Sequence, residues 1–116
     1  IVIASGFQPG STSDGSAAVL ADYLNADLFI NYTNVKGLYT KNPKLKGAKF
    51  VPKISHGNFN KNYISKFNEK PGQHFILDSL AAKVCKNAKI NIAILTGMKN
   101  LENCLKGKKF SGTIIS

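Results

Sequence analysis

The 116-residue chain has the length of one domain, and its 43% of hydrophobic residues is enough for a single core. Its net charge of +10 comes from 16 lysines without any arginine, set against six acids. Specific reading of DNA or RNA relies on arginine forks and stacked aromatic rings, so we expect a basic field that attracts small polyanions and no specific nucleic acid partner. No apolar run approaches the roughly 20 residues that cross a bilayer, so a soluble protein without membrane contact is predicted.

The start of the chain and its cysteines indicate its origin and compartment. Ile1 begins directly in an apolar run without Met or a leader, so we expect a piece of a longer polypeptide. Cys85 and Cys104 lie in helix-like patterns, away from any CxxC or histidine pairing. We therefore expect reduced core thiols and a cytoplasmic protein.

His56 and His74 have no partner at ligand or triad spacing and are predicted to be non-catalytic.

The first third of the chain predicts a strand, a helix and a second strand. Residues 1–5 are a short apolar run typical of a buried strand, and the Gly/Pro/Ser loop 6–12 follows. A helix is predicted from Thr12 until Asn25, and residues 26–33 form the second strand-like run. The predicted apolar face of the helix recurs at i, i+3, i+4 and i+7 and consists of Ala17, Leu20, Ala21 and Leu24.

The middle of the chain carries weaker signals. Residues 34–53 contain six lysines with glycines and prolines and predict a long surface loop. A helix is predicted over 58–68, with Phe59, Tyr63 and Phe67 on one face. A turn is predicted at 70–74.

The last third predicts a helix from Asp78, a strand over 90–97, a short helix over 100–107 and a final strand over 112–116. The apolar side of the first of these helices consists of Leu77, Ala81, Val84, Cys85 and Ala88. Strands that alternate with helices favour a mainly parallel sheet covered by helices on both faces. The predicted fold is thus a three-layer α/β/α sandwich that forms one domain over residues 1–116.

Two loops leave strand ends, where ligands bind in such sheets. The first, SGFQPGSTSD at 5–14, combines glycines and hydroxyls with a helix N-terminus. It fits either an anion site or an ordinary helix cap. Asp14 fits the first turn as a charge on the helix dipole, and beside a phosphate it would need a cation between them.

The second loop follows the strand at 26–33 and offers amides, hydroxyls and a flat ring, the groups that a nucleobase site uses. Its candidates are Thr33, Asn34, Tyr39 and Asn42, although a basic surface loop with Tyr39 folded onto the core fits the same pattern. Lys83 shares a spacing with Lys86 and Lys89 that is typical of a solvated helix face. No metal site is predicted.

Taken together, these segments resemble the C-terminal half of archaeal-type uridylate (UMP) kinases, which belong to the amino acid kinase superfamily. The most specific pieces are PGSTSD, TNVKGLYTKNP and LDSLAAK, and the resemblance is weakest between about 50 and 74. It implies an ATP-binding lobe whose N-terminal partner half is missing from this chain. ATP and Mg²⁺ are the implied cofactors, UMP is the implied acceptor, and a homo-oligomer, a hexamer in this family, is the implied assembly.

The resemblance also implies roles for individual residues. The acceptor nucleotide would be contacted near its phosphate by Gly6, Phe7, Gln8, Pro9, Gly10, Ser11 and Thr12. The ATP adenine and ribose would be contacted by Thr33, Asn34, Tyr39 and Asn42. Asp14 matches the aspartate that organises lysines around the transferred phosphoryl group, and Lys83 resembles a lysine near the ATP phosphates.

The chain departs from the family pattern at several of these positions. Lys36 and Asn42 stand where the family usually has Asp, which removes negative charge from the nucleotide loop. Ser5 stands in place of a second glycine, and Phe7 replaces a small residue or Thr in the acceptor loop. The implied reaction is transfer of the γ-phosphoryl group from Mg·ATP to UMP, with the isolated chain inactive. Alternatives are a superfamily member with another acceptor, such as isopentenyl phosphate, and a non-catalytic nucleotide-binding module.

Overall fold

A computed structural model describes residues 13–41, 44–64 and 79–116 of the chain. The helices within these residues are α1 (Ser13–Tyr23), α2 (His56–Phe59), α3 (Ser79–Ala88) and α4 (Met98–Leu105), with a π-helical turn at Asn60–Ile64. The strands are β1 (Leu28–Tyr32), β2 (Leu38–Tyr39), β3 (Phe50–Val51), β4 (Lys53–Ile54), β5 (Asn91–Leu95) and β6 (Gly112–Ile115). The predicted strand at 1–5 and the predicted turn at 70–74 lie outside the described residues.

The main sheet is mixed and mostly parallel, in the order β1-β5-β6-β4. β5 pairs in parallel with β1, and β4 pairs in parallel with β6, whereas β5 and β6 are antiparallel. β5 has a partner on each side, and its residues from Ile92 to Leu95 are fully buried. This interior position explains why β5 has a continuous apolar sequence. The predicted α/β fold with a mainly parallel sheet is confirmed.

Alternation along the strands divides the buried side chains between the two faces of the sheet. Ile92 and Ile94 share one face with their neighbours Phe29 and Ile115, and these four residues belong to the main hydrophobic core. Ala93 and Leu95 point to the opposite face and are fully buried as well. Both faces of β5 are therefore covered, as a layered α/β fold requires.

Helices α1 and α3 pack against each other through small side chains. Ala18 of α1 and three residues of α3, Ala81, Ala82 and Cys85, are fully buried in the core. The predicted apolar face of α1 is wrong at two positions, because Ala17 is exposed and Leu24 is 47% exposed. Close helix contact favours small residues over the most hydrophobic ones, so hydrophobicity alone did not mark the contact face. For α3, the prediction that Ala81 and Cys85 face the core is confirmed.

The middle of the chain differs from its prediction. The expected surface loop 34–53 contains β2 and β3, which pair as an antiparallel hairpin, and it also contains the first residue of β4. The expected helix at 58–68 begins two residues earlier, at His56, because the Ser55 hydroxyl caps it by accepting from the Asn58 N–H at 3.1 Å. Phe59 and Tyr63 stack as predicted, with ring centroids 5.4 Å apart. Phe67 lies outside the described residues.

The orientation of α1 and α3 determines which edge of the sheet receives their N-termini. Both helices are followed by a residue in the left-handed conformation, Asn25 with φ 54° and Lys89 with φ 59°, and the chain then enters β1 or β5. The helix C-termini therefore meet the amino ends of these strands. Because 11 helical residues and 5 strand residues both span about 16 Å, the N-termini reach the carboxyl edge of the sheet.

Candidate functional site

The first part of the site is the point where the chain leaves β1. The Thr33 N–H donates to the Leu95 carbonyl at 2.9 Å and so extends the pairing of β1 with β5 by one residue. The Thr33 hydroxyl lies 3.5 Å from Oδ1 of Asn34, and the Asn34 side chain is exposed. The structure thus places a hydroxyl and an amide at the carboxyl edge of the two neighbouring strands. An exposed amide can hydrogen-bond the edge of a nucleobase.

An aromatic pair forms the second part. The rings of Tyr39 and Phe50 are 5.4 Å apart and meet edge to face at 64° across the β2–β3 hairpin. Nζ of Lys36 lies 5.5 Å from the centroid of the Phe50 ring, within cation–π range. Tyr39 is half-buried, so part of its ring remains accessible. Phe50 was not predicted as part of the site. An aromatic residue in the same lysine-rich segment as Tyr39 was the signal that could have indicated it.

A buried hydroxyl fixes the hairpin to the main sheet. Oγ1 of Thr113, on β6, accepts a hydrogen bond from the Leu38 N–H at 2.8 Å and donates one to the Val51 carbonyl at 2.6 Å. Both strands of the hairpin are therefore bound to one fully buried side chain. Sequence reasoning missed Thr113, because its partners are 75 and 62 positions away in the chain.

The segment after β5 adds a third set of polar groups. Nδ2 of Asn100 donates to the Thr96 carbonyl at 2.9 Å, and Oδ1 of the same side chain accepts from the Ser111 N–H at 3.0 Å. Gly97, with φ 91°, precedes α4 without a side-chain cap. Asn100 thus joins the end of β5, the start of α4 and the loop that enters β6, and no sequence pattern had indicated it.

The remaining predicted site residues are placed only in part. Asp14 belongs to the first turn of α1, whose N-terminus lies at the carboxyl edge. Lys83 is exposed in the middle of α3, and no ion pair involving it occurs among the described residues. Asn42 and the acceptor-loop residues Gly6, Phe7, Gln8, Pro9, Gly10, Ser11 and Thr12 lie outside the described residues. Their roles remain predictions, as do those of Asp14 and Lys83.

An open cleft lies at the opposite, amino edge of the sheet. It is lined by the ends of α1 and α3 and the starts of β1 and β5, including Asp22, Asn25, Asp27, Lys89 and Asn91. The two carboxylates outnumber the Lys89 ammonium group in this lining, and the two helix C-termini add partial negative charge, which disfavours the binding of phosphates. The carboxyl edge, where α1 and α3 begin, has the polarity that favours anions.

Burial shifts the pKa of several ionisable side chains, among them Cys85 and His56. Burial raises the pKa of the Cys85 thiol to about 11, and the nearby Asp22 charge acts in the same direction. Burial lowers the pKa of His56, although the nearby Ile90 backbone opposes this shift in part, and no hydrogen bond of good geometry to its buried ring nitrogens occurs among the described residues. Both cysteines are free thiols. Residues 13–41, 44–64 and 79–116 contain no group of three or more His, Cys, Asp or Glu side chains able to hold a metal ion.

Comparison with known proteins establishes the family. The sequence profile of the Amino acid kinase family matches residues 1–96. The chain therefore belongs to the amino acid kinase family. No helix in the described ranges combines the length and apolar character of a membrane span.

Uridylate kinases from three organisms are similar to this chain. The chain is 40% identical over 117 residues to a uridylate kinase of Methanocaldococcus jannaschii, covering 99% of this chain and 51% of the relative. It is 34% identical over 118 residues to a uridylate kinase of Sulfolobus acidocaldarius, with 99% and 52% covered. The crystal structure of uridylate kinase from Archaeoglobus fulgidus matches 96% of this chain and 50% of that one, with a TM-score of 0.80 and 34% identity. The chain thus spans about half the length of these relatives.

Proposed function

We propose that this chain is the C-terminal, ATP-binding half of a uridylate kinase that transfers the γ-phosphoryl group of Mg·ATP to UMP, giving UDP and ADP. The observation that carries the proposal is the similarity in both sequence and fold, over nearly the whole chain, to the uridylate kinase of Archaeoglobus fulgidus. The polarity of the sheet edges supports it independently. The edge that carries Thr33, Asn34 and Tyr39 also receives the positive ends of α1 and α3.

The donor nucleotide would lie along the segment that leaves β1. Asn34 and Thr33 would hydrogen-bond the adenine and ribose, Tyr39 would supply an aromatic face, and Asn42 would complete the pocket. The exposed amide of Asn34 and the half-buried ring of Tyr39 fit a planar base with polar edges. The ammonium group of Lys36, held near Phe50, would add positive charge beside the phosphates.

The acceptor and the reacting phosphoryl group would lie at the N-terminal end of α1. Residues 6–12 would bind UMP near its phosphate, while Asp14 would orient lysines around the transferred group and Lys83 would approach the ATP phosphates. Mg²⁺ would be bound chiefly through the nucleotide phosphates, as is usual for this ion in phosphoryl-transfer sites. Direct in-line transfer requires positioning and charge stabilisation without a protein nucleophile.

The proposal extends to the rest of the enzyme. The relatives are about twice as long as this chain. By the family resemblance, an N-terminal half would grip the transferred phosphate and complete the UMP pocket. We expect the complete kinase to form a homo-oligomer, a hexamer by resemblance. We also expect a cytoplasmic location, and the two free thiols support a reducing compartment.

The test is an ADP-release assay on the complete kinase with separate acceptors. We expect turnover with UMP and Mg·ATP, and turnover at least 100-fold lower with isopentenyl phosphate, whose binding would leave the base-recognising groups unpaired. Preference for isopentenyl phosphate would identify a family member with another acceptor. Binding of ATP without turnover on either acceptor would identify a non-catalytic module. The isolated 116-residue chain serves as a control and should not turn over.

A further inference from the structure

The segment from Thr33 to Leu38 is fixed at both ends to different strands of the main sheet. At one end, the Thr33 N–H is bound to the carbonyl of Leu95 on β5. At the other end, the Leu38 N–H is bound to Oγ1 of Thr113 on β6. Because β5 lies between β1 and β6, this segment crosses the carboxyl edge from β1 over β5 to β6, a distance of about 10 Å.

At the Leu38 end of this segment, the Thr113 hydroxyl both accepts and donates a hydrogen bond. It accepts from Leu38 and donates to the Val51 carbonyl, so the single donor hydrogen is committed and the geometry of both bonds is fixed. The side chain is completely buried. Removal of the hydroxyl would leave an amide and a carbonyl of the hairpin without their partner, in a place that water cannot easily reach.

Gly37 allows this close approach. A Cβ atom at residue 37 would lie 2.6 Å from Oγ1 of Thr113 and 2.8 Å from Cε2 of Phe50, both below normal contact distance. The requirement for glycine here is therefore one of space. Gly37 and Thr113 fit against each other, and even one extra methyl group would push the segment away from β6.

We propose that Thr113 is a positioning residue for the donor nucleotide. Through the Leu38 amide and the Val51 carbonyl it sets the place of Tyr39 and the aromatic pair relative to Thr33 and Asn34, without itself touching the nucleotide. This inference rests on the proposed function for the identity of the nucleotide. It predicts that the Thr113 hydroxyl affects ATP recognition selectively, because its contacts are with Leu38 and Val51 of the hairpin, whereas the acceptor is proposed to bind next to the N-terminal end of α1.

The test compares Thr113→Val, Thr113→Ser and Thr40→Val in the complete kinase. Thr113→Val should raise KM for ATP roughly tenfold and leave KM for UMP within about twofold, because both hydrogen bonds from the buried Thr113 side chain to the hairpin are lost. Thr113→Ser keeps the hydroxyl and should restore KM for ATP to within about threefold of the wild type. Thr40→Val is the matched control: its Oγ1 accepts only an exposed bond from the Lys49 N–H inside the hairpin, so KM for ATP should not change.

Several results would overturn the proposal. These are equal increases in both KM values, an unchanged KM for ATP in Thr113→Val, or failure of serine to rescue. If Thr113→Val does not fold, Gly37→Ala takes its place, since the added methyl displaces the same contact. A wild-type KM for ATP in Gly37→Ala would contradict the proposal.

The failure of this inference can be separated from failure of the proposed function. If the wild-type kinase binds ATP but does not phosphorylate UMP, the proposed reaction is wrong. Titration calorimetry with ATP on the same variants then decides the role of Thr113, with a roughly tenfold weaker affinity expected for Thr113→Val alone. If the wild-type protein does not bind ATP, both proposals are wrong.

Discussion

The two edges of the central sheet are built from the same helices and strands, yet they differ in chemistry. At the amino edge, α1 and α3 end beside Asp22 and Asp27 in an open cleft. At the carboxyl edge, the same helices begin, and the chain presents Asn34 and Tyr39. The open cleft suggests a ligand site at the amino edge, whereas the helix dipoles favour a ligand site for anions at the carboxyl edge. For a ligand that carries phosphates, polarity decides, because unfavourable charge is not corrected by shape.

The largest effect should come from the carboxyl edge, at Asp14. We expect Asp14→Asn in the complete kinase to lower kcat by about 100-fold or more, while Kd for ATP and UMP stays within about threefold. A carboxylate that orients cations around the moving phosphoryl group acts mainly in the transition state. Steady-state kinetics and calorimetry on the same preparation measure the two quantities. An unchanged kcat would reduce Asp14 to a favourable charge on the α1 dipole.

The next effect should come from the aromatic pair. We expect Tyr39→Ala to raise KM for ATP about tenfold, because the base loses its aromatic face and Phe50 loses its edge-to-face partner. Tyr39→Phe keeps the ring and should stay within about threefold of the wild type. A similar loss in both variants would show that the hydroxyl acts instead of the ring.

The amino edge should affect stability instead of activity, and His56 provides the first case. Burial lowers its pKa below the ordinary 6.5, with the Lys86 charge acting in the same direction and the Ile90 backbone opposing in part. The unfolded chain therefore takes up a proton more readily than the folded one. The stability is fully present above pH 6.5 and declines as the pH falls through the lowered folded pKa.

A melting series from pH 8 to pH 5 measures this effect. We expect the melting temperature of the wild type to fall more over this range than that of His56→Gln, whose side chain does not titrate. Parallel curves for the two proteins would show that the buried imidazole does not contribute. KM for ATP, compared at pH 7, should be the same for both proteins, since His56 packs near the amino edge.

The sequence predicted the regular part of the fold far better than the parts that form the site. β1, β5 and β6 fall within the predicted ranges because each is an apolar or β-branched run with its own local signal. The hairpin was missed because β2 and β3 have two residues each, too few for any periodicity, and because its attachment depends on Thr113 far along the chain. Thr33, Asn34 and Tyr39 were predicted as site residues from their side-chain chemistry after a strand and from the family resemblance, whereas the contacts of Phe50, Gly37 and Asn100 required the three-dimensional structure.

The smallest expected effect is at Asp22, which tests the assignment of the two edges from the amino edge. The cleft at the amino edge is predicted not to bind nucleotide, so Asp22→Asn should leave kcat and both KM values within about twofold. Asp22 lies in the last turn of α1, where a negative charge is unfavourable, so its removal should raise the free energy of unfolding by roughly 0.3 kcal/mol. Urea titrations of the variant and the wild type measure this difference. A marked loss of ATP binding in Asp22→Asn would move the nucleotide to the amino edge and reverse the assignment of the two edges.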